Sequence, residues 1–134
     1  MKAVRMIRPG KPLEMRELPT PTTGPLDLLV RVKAAGICHS DAHYRAGTSL
    51  VDPLPLTLGH EVAGVVEEIG AQVTGFKPGD RVACAGGGFA VHAEYSLVPY
   101  NLLARLPENV DFDSAAFTTL GAIAMHGFRL SRPQ

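Results

Sequence analysis

The chain has no excess of either charge. Thirteen Lys and Arg offset thirteen Asp and Glu across 134 residues, and no run of like charges occurs. That argues against an electrostatic nucleic-acid binder, which carries a basic excess or stripe. No apolar stretch approaches the ~18–20 residues that a helix needs to cross a bilayer, so no membrane role is expected. The opening Met1-Lys2-Ala3-Val4-Arg5-Met6-Ile7-Arg8 lacks the long apolar block of a secretory signal, which makes the cytoplasm the expected compartment. Two cysteines, Cys38 and Cys84, are too few for the disulfide framework of a small secreted domain. One bridge, two free thiols, or one metal-ligating thiol beside one buried thiol stay open, and the last two suit a cytoplasmic chain better. No internal repeat, linker or low-complexity segment is visible.

What is present fits one compact domain. Apolar residues make up 46% and charged residues 19%, enough to fill a core. Fourteen glycines and eleven prolines are scattered, as expected of many short strands joined by turns. Strands are predicted over Lys2 to Ile7, Leu13 to Leu18 and Leu28 to Ala35. The last alternates, with Val30, Val32 and Ala34 on one face and Arg31 and Lys33 on the other. Ser40 is expected to cap a short helix running to about Ala46, with Asp41 in its first turn and Gly47 closing it. Asp52 to Pro55 reads as a loop. Further strands are predicted over Glu61 to Ile69, Arg81 to Cys84, Phe89 to Val98 and Leu102 to Leu106, with Gly86-Gly87-Gly88 as a break. About seven strands within 106 residues suggest a mainly β barrel or sandwich. The character then changes, and Phe117, Leu120, Ala124 and Phe128 recur at helical spacing. One helix from Phe112 to Arg129 is predicted, weakened by Gly121.

Two clusters hold candidate chemistry. Gly36-Ile37-Cys38-His39-Ser40-Asp41-Ala42-His43 packs a thiol, two imidazoles, a hydroxyl and a carboxylate into six residues at a strand end. Thiolate and imidazole are preferred zinc ligands, and a nearby carboxylate commonly takes the other ring proton of a ligating histidine. Ser40 and His43, three apart on a helix, could share a face and pass protons. The same stretch could equally be a buried cysteine beside ordinary helix-start polar groups. The second cluster is Gly59-His60-Glu61-Val62-Ala63-Gly64. Its histidine enters a strand and is either a ligand or structural.

Taken together, Gly59-His60-Glu61-x-x-Gly64, followed by Gly70 and Val73, resembles the signature of the zinc-containing alcohol dehydrogenases of the medium-chain dehydrogenase/reductase superfamily. Gly36-Ile37-Cys38-His39-Ser40-Asp41 resembles that family's first-ligand motif, and Pro78-Gly79-Asp80-Arg81-Val82 its next landmark. The resemblance runs from Met1 to about Arg129. It implies a GroES-like β-barrel catalytic domain over residues 1–110, with short helices. Residues 111–134 would form a C-terminal helix leading into a cofactor-binding domain. It further implies Cys38 and His60 as catalytic zinc ligands, with Glu61 close behind the metal and able to enter its shell. Ser40 would take the substrate proton, His43 would pass it to solvent, and Asp41 would back His60. His39 would lie where the family contacts the pyrophosphate of NAD or NADP. The implied substrate is a small alcohol or its aldehyde or ketone. Ser40, Leu50 and Phe89 are pocket candidates on the same analogy.

The sequence departs from the family pattern in three places. Leu120, give or take one residue, falls where a third zinc ligand is usual, and leucine cannot bind zinc. Cys84, His92 and His126 are the other candidates. Cys84 and His92 also read as a strand-core thiol and a surface imidazole, and His126 is expected to point elsewhere. Around Cys84 there is one cysteine where a structural-zinc lobe carries four, so no structural zinc is expected. Finally, Gly86 to Val91 fails the Gly-x-Gly-x-x-Gly pattern at its last position, and a Rossmann domain is absent from the reading. That missing domain is an expected partner. An isolated domain of this kind is expected to expose apolar surface or to form a homo-oligomer through it, and to have little activity by itself. Two rivals remain: a zinc-free relative resembling quinone or enoyl reductases, favoured by Leu120, and a non-enzymatic GroES-like module.

Overall fold

The computed structural model describes residues 1–49 and 53–132. Its strands are β1 (Lys2–Met6), β2 (Glu14–Glu17), β3 (Asp27–Ala35), β4 (Leu56–Thr57), β5 (Glu61–Ile69), β6 (Arg81–Ala85), β7 (Tyr95–Pro99) and β8 (Leu103–Arg105). Helix α1 (His39–Ala46) lies between β3 and β4, and α2 (Phe112–Ala116) and α3 (Thr118–Ser131) follow β8. A three-stranded sheet has the order β2-β1-β4, and a five-stranded sheet the order β7-β3-β5-β6-β8. Every described pairing is antiparallel. Residues 92–94 join the sheets: Val4 N–H donates to His92 C=O at 2.9 Å, and Val32 N–H to Glu94 C=O at 2.9 Å. The fold is therefore mainly β. No described helix is long and apolar enough to cross a membrane.

The core sits between the strands of the larger sheet. Leu28, Val30, Val62, Val66, Val82, Cys84, Ala90 and Val98 form one buried cluster. Each fully buried Val or Leu contributes about 1.5–3 kcal/mol, so this cluster fixes the strands whose ends carry the candidate chemistry. β3 and β5 pair over most of their length, with register shifts between Leu29 and Val30 and between Val32 and Ala34. Gly64 faces Val32 beside the second shift. A Cβ there would lie 2.2 Å from the Arg31 carbonyl oxygen, so only glycine permits this approach of two backbones.

Three expectations need correction. The helix after β3 is capped by Cys38, not Ser40: Asp41 Oδ2 reaches back to accept the Cys38 N–H at 3.0 Å. Gly47 closes that helix in the left-handed region at φ 77°. The segment from Phe89 to Glu94 is not strand. Gly86 and Gly88, at φ 109° and 80°, turn the chain so tightly that the Phe89 and Ala90 amides bond back to Gly86 C=O. Strand β7 begins only at Tyr95. The C-terminal helix is also split. Asp111 caps α2 by accepting the Ser114 N–H at 2.7 Å, and the chain bends at Phe117 (φ −89°, ψ 7°) before α3. α2 packs Ala115 and Ala116 with Ala63 on the sheet, whereas α3 leaves Leu120, Ile123, Met125, Phe128 and Leu130 exposed. The short β4, an eighth strand, was not predicted.

Candidate metal centre and pocket

The first cluster is placed by the end of β3 and the start of α1. Gly36 N–H donates to Glu61 C=O at 2.9 Å, which ties this turn to the first residue of β5. A Cβ on Gly36 would lie 2.6 Å from Glu61 Oε2, so glycine leaves room for that carboxylate. Cys38 then caps α1, which puts its thiol at the positive end of the helix dipole. The second cluster is placed by Gly59, whose φ of 112° turns His60 toward α1. A Cβ on Gly59 would collide with the backbone nitrogen of His92 at 2.8 Å.

These turns bring Cys38, His60 and Glu61 together, with one ligand atom from each lying within 4.8 Å of the others. His60 Nε2 faces Glu61 Oε1 at 3.4 Å and Ser40 Oγ at 3.4 Å. The other ring nitrogen, Nδ1, faces Asp41 Oδ1 at 3.7 Å, too far for a hydrogen bond. Among the described residues, Asp41 Oδ1 is buried without a partner. Such an orphan is costly, and a slight closure onto a His60 Nδ1–H would satisfy it. That tautomer leaves Nε2 as a lone pair aimed at Cys38 and Glu61. Thiolate, imidazole and carboxylate are together a donor set suited to a divalent metal ion, so the residues fit one. The Ser40 hydroxyl foremost, then the Ser40 amide and the His60 ring, hold the Cys38 thiol below its ordinary pKa, which favours the thiolate a metal needs.

Asp41 connects the parts. Its Oδ2 takes the Cys38 N–H and lies 3.4 Å from His92 Nε2. His92 is therefore not a surface imidazole: it is 15% exposed and packed behind Asp41. Cys84 lies in the core across from Val62, where burial pushes its thiol up to about 12. Both cysteines are free. His126 and Leu120 lie on exposed α3, outside the donor cluster.

A cavity of about 650 Å³ opens beside the cluster, lined in part by Ser40, Tyr44, Leu56, Leu58, His60 and Thr119. Ser40 is thus both in the cavity and beside His60. Phe89 is exposed and does not line it, although Gly86 to Gly88 do. Leu50 lies outside the described residues. His43 and His39 sit exposed on α1 with their rings edge to face at 4.7 Å, and His43 Nδ1 pairs with Thr48 Oγ1 at 3.0 Å. No hydrogen bond joins Ser40 to His43 among the described residues. Sequence reasoning missed Tyr44 and Thr119. Tyr44 could have been found, because it lies one helical turn after Ser40. Thr119 could not, because its approach depends on the bend at Phe117.

A metal held here would present a cation beside a hydroxyl at the wall of a cavity large enough for a small organic molecule. Comparison with known proteins narrows the chemistry. The family model of the alcohol dehydrogenase GroES-like domain matches residues 24–108. An NAD-dependent alcohol dehydrogenase of Saccharolobus solfataricus is 45% identical over 91 residues, covering 62% of this chain and 26% of the relative. A quinone oxidoreductase of Pseudomonas aeruginosa is 40% identical over 108 residues, covering 81% of this chain and 33% of the relative. The solved 2R,3R-butanediol dehydrogenase of Bacillus subtilis matches with a TM-score of 0.86 at 28% identity, covering 99% of this chain and 48% of that one. The chain spans about a quarter to a half of the length of these relatives.

Proposed function

The chain belongs to the alcohol dehydrogenase GroES-like family of the medium-chain dehydrogenase/reductase superfamily, and from that premise we propose that it is the catalytic domain of a zinc-type, NAD(P)-dependent alcohol dehydrogenase. Cys38, His60 and Glu61 would hold the zinc. The observation that carries this reading is the convergence of those three donors within 4.8 Å beside a cavity that also contains Ser40. Glu61 takes the place of a ligand from α3, where Leu120 offers none.

Bound zinc would supply a Lewis acid that lowers the pKa of an alcohol, and the nicotinamide would carry the hydride. The chain's own residues do the rest. Ser40 Oγ stands at the pocket wall beside the donor cluster, and would take the proton that a bound alcohol releases while handing its own hydroxyl proton on toward solvent. Asp41 keeps His60 oriented. Leu56 and Leu58 supply apolar wall against the carbon skeleton of the substrate. His43 and His39, on the exposed side of α1, are assigned the outlet for the proton and the contact with the cofactor pyrophosphate. Residues 1–110 would be the catalytic unit, and 111–134 the lead into a nucleotide-binding domain, in a cytoplasmic enzyme.

A second reading is a zinc-free quinone reductase-like domain. Leu120 favours it, and so does the likeness to the P. aeruginosa quinone oxidoreductase. Elemental analysis of protein purified without chelator, with zinc supplied, separates the two. About one zinc per chain, lost in Cys38→Ala and His60→Ala, is expected. A chain that folds but takes up no zinc would favour the zinc-free reading.

A further inference from the structure

We propose that His92 is a positioning residue for this centre: it holds Asp41 so that one carboxylate oxygen addresses His60 Nδ1 and leaves Nε2 free to bind metal. The proposal rests on reading Cys38, His60 and Glu61 as the metal site. His92 is fixed from both sides of its backbone. Its N–H donates to Leu58 C=O at 2.8 Å, and its C=O accepts Val4 N–H at 2.9 Å. The absent side chain of Gly59 leaves the space its ring uses, since a Cβ there would lie 3.1 Å from His92 Cδ2. From that anchored position Nε2 lies 3.4 Å from Asp41 Oδ2.

The two contacts of Asp41 fall on one oxygen. Oδ2 takes both the Cys38 N–H at 3.0 Å and His92. Oδ1 is buried, has no partner among the described residues, and points at His60 Nδ1 from 3.7 Å. Two donors on one oxygen fix the carboxylate plane, whereas one backbone amide would let it pivot. The surroundings, mostly apolar, favour a second donor. Asp41 and His92 also border a second cavity of about 440 Å³ whose other walls include Val4, Leu13, Ala35, Leu58 and Arg45. A carboxylate facing apolar walls is destabilised unless its oxygens are paired. A carboxylate behind a ligating histidine sets which ring nitrogen carries the proton, and loss of such a partner typically costs 10–100-fold in metal affinity.

The test uses His92→Leu, His92→Asn and His92→Gln in the 134-residue chain, with folding checked by circular dichroism. Asn is too short to reach Asp41, whereas the Gln amide can stand in for Nε2. Two quantities are read: zinc affinity by competition with a chromophoric chelator, and the His60 tautomer of the metal-free chain from ring ¹⁵N shifts. Zinc affinity should fall about 10-fold in Leu and Asn and return close to the parent value in Gln. His60 should carry its proton on Nδ1 in the parent chain and in Gln, and become a mixture in Leu and Asn. If Leu does not fold, the contrast of Asn with Gln decides. Unchanged affinity and unchanged tautomer in a folded Leu or Asn chain would overturn the role of His92. A parent chain that binds no zinc would overturn the metal reading, and the tautomer comparison would then decide on His92 alone: a shift would sustain it, and none would end it.

Discussion

Replacing Gly64 by alanine adds one methyl group at the most crowded point of the larger sheet. The new Cβ would lie 2.2 Å from Arg31 O, 3.0 Å from Arg31 C and 2.8 Å from Val30 Cγ1. Carbon and oxygen need about 3.3 Å, so the deficit is about 1 Å against a backbone atom that has no rotamer to escape into. β3 and β5 must part locally, which weakens about two ladder hydrogen bonds at about 1 kcal/mol each. Overpacking adds about 1–3 kcal/mol. The opposing gain from a stiffer unfolded chain is about 0.4–1 kcal/mol, so the clash wins. Gly64→Ala should therefore lose about 3 kcal/mol of stability and about 10 °C in Tm. Gly127 provides the contrast. It lies within α3 with nothing among the described residues within 4 Å of its Cβ position, so Gly127→Ala should gain about 0.5–1 kcal/mol. Urea titrations followed by far-ultraviolet circular dichroism measure both, since the chain has no tryptophan. A Gly64→Ala chain within about 0.5 kcal/mol of its parent would refute the packing argument.

Other consequences follow from individual groups. Gly36→Ala would drive a Cβ to 2.6 Å from Glu61 Oε2, so it should weaken zinc binding at least 10-fold while the far sheet edge stays intact, as read by the same chelator competition. A thiol reagent at pH 8 should modify Cys38 quickly and Cys84 only after denaturation, since Cys38 is lowered and Cys84 is raised to about 12. The Cys84 shift also has a sign for stability. The unfolded thiol ionises near its ordinary value of 9 while the folded one keeps its proton to about 12, so stability should fall as pH rises through that window, and Cys84→Ala should flatten the fall. Asp80 behaves oppositely. Burial pushes its carboxyl up, but the Lys77 amide and the Arg105 guanidinium outweigh it and hold it below the usual range. Its stabilisation is present above the ordinary value of 3.8 and is lost as pH falls through the depressed one, so acid titration of Asp80→Asn should lack that component.

The sequence was most readable where one physical signal acted alone. β3, β5 and β6 are apolar or alternating runs ended by glycine or by a turn, and they form almost where the pattern put them. It was least readable where two signals competed. Phe89 to Glu94 has strand-like composition, but the preceding glycines curl the chain before a ladder can form. Phe112 to Arg129 has helical spacing throughout, yet packing Ala115 and Ala116 on the sheet bends the backbone at Phe117. β4 is only two residues long and exists because β1 offers it an edge. At the site, Cys38, His60 and Glu61 stood out by residue type and spacing. Their meeting depends on Gly36 and Gly59, whose missing side chains make the room. His92 stood out only as an alternative third ligand, and its place behind Asp41 was not legible, because the two lie 51 residues apart in the chain.

X-ray absorption at the zinc edge is the most direct test of the proposed centre. For the zinc-loaded chain the account predicts one sulfur at about 2.3 Å, one imidazole nitrogen at about 2.0 Å, and oxygen donors at about 2.0–2.2 Å. In Glu61→Gln one of those oxygens should be lost or replaced while the sulfur stays. A shell with two sulfurs would bring in Cys84 against its burial in the core. A shell with none would remove Cys38, and either result would contradict a centre built from Cys38, His60 and Glu61.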